Sequence, residues 1–262
     1  MPLLVLKLLL TPLIVGGASL AARRWGPSIG GWVVSLPLTS GPVLFFLALE
    51  QGPQFAADAT VGTILGLLGI CGYTVGYLAG SRRGAGAALA VASLGYVAVG
   101  IGVGPITGAP FALLVAIVVA AIAGVIQLLP APVGPSPVRD HPAWDLPGRI
   151  LVGTTLVVGL TTLAPRLGPV ASGIVATFPA YVSVLAVFEH MRGGRLAGLG
   201  VLRGLLVGLF GTVAFHVVIH GMVVPFGVAV AFPVAIAVTA VIGAVALRRV
   251  RAGLAVPEPG TI

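Results

Sequence analysis

A chain of 262 residues that is 58% hydrophobic and only 8% charged, with a mean hydropathy of +1.16, is excluded from the soluble class, where about a quarter of residues are charged. A net charge of +8 would suggest nucleic acid in a soluble protein; here the bases gather at the ends of apolar runs, so they read as topology signals and no nucleic acid is expected. The single cysteine, Cys71, sits inside an apolar run, which excludes a disulfide framework and a metal–thiolate cluster.

The apolar runs are too long, and too free of turn residues, for a β-barrel. They predict an all-α, polytopic helical membrane protein of about nine spans, each roughly 18–25 residues, as a ~30 Å hydrocarbon core requires. The spans are placed at 3–22, 27–49, 57–80, 85–103, 109–129, 148–165, 169–189, 197–219 and 224–247. The first, with Lys7 inside it and Arg23 and Arg24 after it, reads as a structural helix rather than a secretion leader.

The second span is interrupted. Gly26 to Pro42 carries Pro37, Pro42 and a Thr39-Ser40-Gly41 run where a helix should be continuous. Proline removes a backbone donor and crowds the preceding turn, so carbonyls are freed about 18 Å along the span. Lipid tolerates free carbonyls only where protein or a wet cavity takes them up. Two hydroxyls beside them can bind a cation or a solute; equally, the hydroxyls can bond back to their own helix. The third span carries Gly62, Gly66, Gly69, Gly72, Gly76 and Gly80, a small-residue seam for close helix approach.

After the fifth span, residues 130–147 are polar and rich in proline and read as a cytoplasmic linker. Four further spans occupy 148–247, and 248–262 forms a cytoplasmic tail. The eighth span repeats the glycine seam with Gly200, Gly204, Gly208 and Gly211. A shift of 142 positions lays the first half (1–129) on the second: Lys7 on Arg149, Gly26-Pro27 on Gly168-Pro169, Gly31 on Gly173 and Pro37 on Pro179. From Ala22 to Pro37, seven of sixteen positions match. An odd number of spans in the first half would turn the second upside down, giving two inverted repeats with proline-broken second helices. With the N-terminus outside and the C-terminus cytoplasmic, twelve arginines fall inside and only Lys7 and Arg166 outside, a positive-inside pattern for a cell membrane.

Candidate functional residues follow from this frame. Pro37, Thr39, Ser40 and Gly41, with Thr177, Pro179, Tyr181 and Ser183 in the copy, are candidates to bind a solute where the two breaks cross. Ionisable residues within spans come next, because charge in lipid is costly. Lys7 with Glu50 on the outer side, and Arg149 with Glu189 on the inner side, form possible gate pairs; all four can also simply snorkel. Arg203 can meet an anionic solute or reach the headgroups. Asp58, His216 and His220 fall on the outer side, and the two histidines share a helix face without a third metal ligand. An interfacial pair is one reading; a proton-coupled role, with His220 or Asp58 titrating, is another. No metal, cofactor or enzymatic acid–base cluster is expected.

Gly30-Gly31, six residues before Pro37, and Gly173 before Pro179 in Ile-Val-Ala-Thr-Phe-Pro resemble the Gly-to-Phe-Pro segment of GlpM-type small membrane proteins. The resemblance implies a duplicated four-helix unit with one added helix, and supplies no catalytic residues. The expected function is secondary transport or export of an unknown small solute, through a polar cavity at the breaks. The alternative is a non-transporting scaffold or assembly subunit of an envelope system, with both breaks packed dry. Glycine seams would also serve a homo-oligomer.

Overall fold

The computed structural model describes residues 2–37, 40–131, 144–163 and 178–254. Among them are ten α-helices and no strand: α1 Pro2–Trp25, α2 Pro27–Ser35, α3 Ser40–Glu50, α4 Pro53–Gly80, α5 Ala85–Gly102, α6 Phe111–Leu128, α7 Asp145–Leu163, α8 Ala180–Gly193, α9 Arg195–Phe226 and α10 Val228–Leu254. Five are long and apolar enough to cross a membrane: α4, α5, α6, α9 and α10. Length and composition make this a multi-pass helical membrane protein.

Gly-Pro pairs set the sharpest corners. Gly26 and Gly52 hold φ at 98° and 95°, and Pro27 and Pro53 then start α2 and α4 at their first helical positions. Only glycine takes that φ without strain, and proline gives up a donor that a helix start does not use.

The second apolar run is split. α2 stops at Ser35, α3 starts at Ser40, and Pro37 lies between them. The amide of Gly41 donates to the carbonyl of Pro37 at 3.0 Å, so the chain re-enters a helix directly after the break. In the second half Pro179 stands at the N-cap of α8. Residues 164–177, with Thr177, Arg166 and the Gly168-Pro169 pair, lie outside the described residues, as does Thr39.

α9 is the hub: it packs against α2, α4, α6, α8 and α10. Half of its most apolar stretch is buried and 44% of that of α4, against 17% for α5 and α6, so α4 and α9 are central and α5 and α6 face outward. The two glycine stripes serve different contacts. On α4, a methyl group at Gly76 or Gly80 would overlap the backbone of α5 at Val91 or Ala87. On α9, one at Gly204 would overlap the carbonyl of Ser28, and one at Gly208 the side chain of Ser35. Close packing of this kind replaces the hydrophobic drive that helices in lipid lack. Below the seams, Phe178 meets the rings of Tyr73 and Tyr96 edge-on at 5.9 and 5.5 Å, tying α4, α5 and the start of α8 together.

Candidate functional site

The break in the second run and the far end of α9 hold the polar side chains that chemistry could use. At the break, the last carbonyls of α2 have lost their helical donors. Three local donors replace them. Leu36 N–H donates to Val33 O at 3.3 Å, and Ser35 Oγ donates to Trp32 O at 2.6 Å. Thr212 Oγ1, from α9, donates to Ser35 O. One turn further along α9, His216 is fully buried, and its Nδ1 lies 2.7 Å from Thr212 O. A carbonyl only accepts, so Nδ1 carries the proton and Nε2 presents a bare lone pair. That Nε2 is buried and has no hydrogen-bond partner among the described residues.

Beside the break lies a cavity of about 1030 Å³. Trp32, Leu36, Pro37 and Gly41 form one wall, Phe45 and Phe215 another, and α10 from Val228 to Leu247 a third with Phe232, Ile236 and Ala240 among others, leaving the cavity partly open. The lining is apolar. Among the described lining residues the one hydroxyl, on Thr239, is spent on the carbonyls of Ala235 and Gly211 at 2.7 and 3.3 Å, and the buried Trp32 indole N–H has no hydrogen-bond partner among the described residues. Four aromatic rings face it, and Phe45 meets Phe232 edge-on at 5.2 Å. Pro37 and Gly41 therefore line a cavity whose described walls are apolar; Thr39, between them in the chain, lies outside the described residues. Ser40 is half-buried and outside that lining. Tyr181 and Ser183 belong to α8; Ser183 is buried and donates to Pro179 O at 2.8 Å, so its hydroxyl caps its own helix.

At the other end of the bundle, charges gather between α1, α7 and α8. Arg149 is completely buried. Its Nη1 donates to Glu189 Oε1 at 2.7 Å and its Nε faces the Asp145 carboxylate at 3.2 Å. Asp145 also receives Arg23 from α1 and, at 2.8 Å, Arg192 from α8. The Arg149 guanidinium lies 5.2 Å from the centre of the Phe188 ring, and that of Arg192 lies 5.5 Å from that of Trp144. Burial works against the charge of Asp145, but Arg149, Arg23 and Arg192 outweigh it and hold its carboxyl below the usual range. In sequence, Arg23 and Arg192 fit the positive-inside pattern and Asp145 falls in the Pro-rich stretch 130–147; the fold brings the three together. The four-residue spacing of Asp145 and Arg149 on one helix was the available signal.

The remaining candidates do separate work. Arg203 donates through Nη1 to the carbonyls of Ile126, Leu129 and Pro130 at 3.1, 2.9 and 3.0 Å, capping the end of α6. His220 stacks on Phe111 at 3.7 Å, and its Nδ1 lies 3.0 Å from Thr60 Oγ1 and 3.1 Å from Ala57 O. Asp58 is exposed and accepts the Gln54 amide at 3.1 Å within α4. The two histidines and Asp58 thus do not act together, and among the described residues no three His, Cys, Asp or Glu side chains converge as a metal set. The side chains of Lys7 and Glu50 lie outside the described part of the structure. Searches of protein-family models, curated proteins and solved structures found no match for this chain.

Proposed function

We propose that this membrane protein is a secondary transporter or exporter of a small lipophilic solute, with its site at the break between α2 and α3. One observation carries the reading: a broken helix opens directly onto a cavity of about 1030 Å³, the size range of small-molecule sites. The solute class follows from the lining. Apolar walls select an apolar or amphipathic molecule, and the rings of Trp32, Phe45, Phe215 and Phe232 would hold a flat, delocalised cation by cation–π attraction. In this reading the chain crosses a cell membrane nine times, N-terminus outside. Its halves are inverted repeats of the GlpM-like unit, and the Arg149–Glu189 pair serves as an inner gate.

A second reading has its own support. The freed carbonyl of Ser35 is already taken by Thr212, and α2 and α9 meet backbone to backbone, as in a rigid scaffold or assembly subunit. Proteoliposomes separate the two. We expect them to move ethidium, an amphipathic aromatic cation that crosses bare bilayers slowly, and Ala240→Phe, which fills the cavity from α10, to slow that movement. Wild-type liposomes no faster than empty ones would leave the scaffold reading.

A further inference from the structure

We infer that His216 is a proton-binding site at the break, whose Nε2 takes up a proton in exchange for an amphipathic cation in the adjoining cavity. The inference rests on the transport reading above and adds the coupling ion to it.

Three observations converge on this residue. First, the imidazole is completely buried, and its tautomer is fixed by the bond from Nδ1 to Thr212 O. The lone pair of Nε2 is therefore a buried acceptor with no donor among the described residues. An unsatisfied buried polar group costs about 1–3 kcal/mol, so one held rigidly in this place calls for a reason. Second, the residue lies one helical turn beyond the contacts that α9 makes with the end of α2 at the break. Gly208, Thr212 and His216 follow one another at four-residue spacing, and the first two touch Ser35, the last residue of α2. A change in charge on His216 thus acts two hydrogen bonds away, through Thr212, from the helix end that the break frees. Third, Phe215, the preceding residue, forms part of the cavity wall and lies within van der Waals reach of Gly41.

Among the described residues no fixed charge is bonded to His216. Of the helices packed on α9, α2 and α6 carry no ionisable residue, and α10 carries none before Arg248. α4 brings Asp58, which is exposed and bonded to Gln54, and then Cys71, Tyr73 and Tyr77 farther toward the charged end. α8 brings Tyr181, and its Glu189, His190 and Arg192 sit with the charged cluster or beside Tyr77. The ionisable residue of α3 is Glu50, at its last position, and the neighbouring histidine, His220, is bonded to α4.

In a low-dielectric site without a counter-charge, cations on the two sides of Phe215 repel, since His216 packs against that ring with centroids 5.4 Å apart. An imidazolium and a bound organic cation would then exclude each other, which is the condition for exchange. The proton arrives from water on the acid side and adds to the Nε2 lone pair. Nδ1–H keeps its bond to Thr212, and the same proton later leaves Nε2 to the opposite side; no other bond forms or breaks.

The test uses the full-length protein. In nanodiscs with ¹⁵N-labelled histidine, the imidazole signals are followed as pH is lowered from about 8 to about 4, a range that brackets ordinary histidine titration. His216 is assigned by its loss in His216→Gln or, should that variant not fold, by elimination with His141→Gln, His190→Gln and His220→Gln. We expect a neutral Nδ1–H form at the upper end, a proton added to Nε2 on acidification, and a titration displaced to lower pH by saturating ethidium. A His216 signal that does not titrate, or that ethidium leaves unmoved, overturns the proposal. In proteoliposomes, one-for-one exchange predicts that a gradient of one pH unit supports about a tenfold ethidium ratio in the wild type. His216→Gln should equilibrate ethidium without accumulating it. Ethidium movement that ignores the gradient, or accumulation that survives in His216→Gln, overturns the coupling and leaves transport standing. If the wild type carries no ethidium, the transport reading fails, and the titration alone decides the proton site.

Discussion

Two places along the bundle, the charged cluster just before the start of α9 and the break beside its middle, solve the same problem in different ways. Both hold polar groups that lipid cannot solvate. At the charged end, guanidinium meets carboxylate: Arg149, Arg23 and Arg192 converge on Asp145, and Arg149 also binds Glu189. At the break, no charge is present among the described residues, and hydroxyl or imidazole meets backbone carbonyl one for one: Ser35 with Trp32, Thr212 with Ser35, His216 with Thr212. Among the described residues each leaves two buried nitrogens without a hydrogen-bond partner, Arg23 Nε and Arg149 Nη2 in the charged cluster, Trp32 Nε1 and His216 Nε2 at the break. The consequences differ. Arg149 already has its charge balanced by two carboxylates, so one idle donor is a modest local cost. His216 has nothing to balance a charge, so its idle acceptor governs whether a charge can exist there at all. The charged end locks; the break end is where one added proton changes the most.

The largest effect should come from breaking the lock. Arg149→Gln leaves Glu189 without its guanidinium in a buried setting, and removing one partner of such a pair costs about 3–5 kcal/mol. Unfolding in detergent, followed by helix content, should show that loss. A variant within 1 kcal/mol of wild type would mean that the cluster is wet and weakly coupled. Acid should act on the same end. The folded carboxyl of Asp145 lies below its unfolded value, so its contribution is fully present above the unfolded pKa of about 3.9 and is lost as pH falls through the lower folded value. Stability should therefore drop in that acid window, and Asp145→Asn should remove the part of the drop that Asp145 causes.

The seam joining the two ends is next. Gly204→Ala places a methyl group against the carbonyl of Ser28, a backbone atom that cannot rotate away. Overpacking of this kind costs about 1–3 kcal/mol, and it should also loosen the contact that seats α2. Thr212→Val should cost about 1–2 kcal/mol, because Ser35 O loses its donor while the shape of the side chain is kept. A neutral outcome for Thr212→Val would show that water reaches the break, and the distinction between the two ends would weaken.

How much of this was legible differs between the ends in the same way. The break could be read, because proline denies a donor by its covalent structure wherever it stands: Pro37 separates α2 from α3. The Gly26-Pro27 corner was legible for a similar local reason. The partners of the break were not. A threonine in mid-helix, such as Thr212, is ordinary in sequence, and only its position opposite Ser35 gives it work. The wall that α10 contributes to the cavity has no mark either, since Phe232 and Ile236 resemble any lipid-facing residues. At the charged end, Asp145 reads as linker because prolines surround it, although it begins α7. Its other partners lie on separate helices, and sequence spacing does not encode contacts of that range.

Glycine gives the smallest test, and it separates stripe from seam. The spacing made Gly62 look equivalent to Gly76, since both belong to one small-residue stripe on α4. In the fold, a methyl group at Gly76 would strike the backbone of α5, whereas at Gly62 it meets nothing within 4 Å. Gly62→Ala should then be neutral or stabilising by up to about 1 kcal/mol, the helix-propensity difference between the two residues. Gly76→Ala should destabilise by about as much as Gly204→Ala, since both strike backbone. If Gly62→Ala is instead harmful, an unseen neighbour covers that face of α4. The natural candidate is a second copy of the chain, and cross-linking through Gly62→Cys would show it. A harmless outcome restricts the seams to contacts within one chain, where they hold α5 against α4 and α2 against α9, and leaves the charged cluster and the break joined by a rigid bar rather than by a sliding surface.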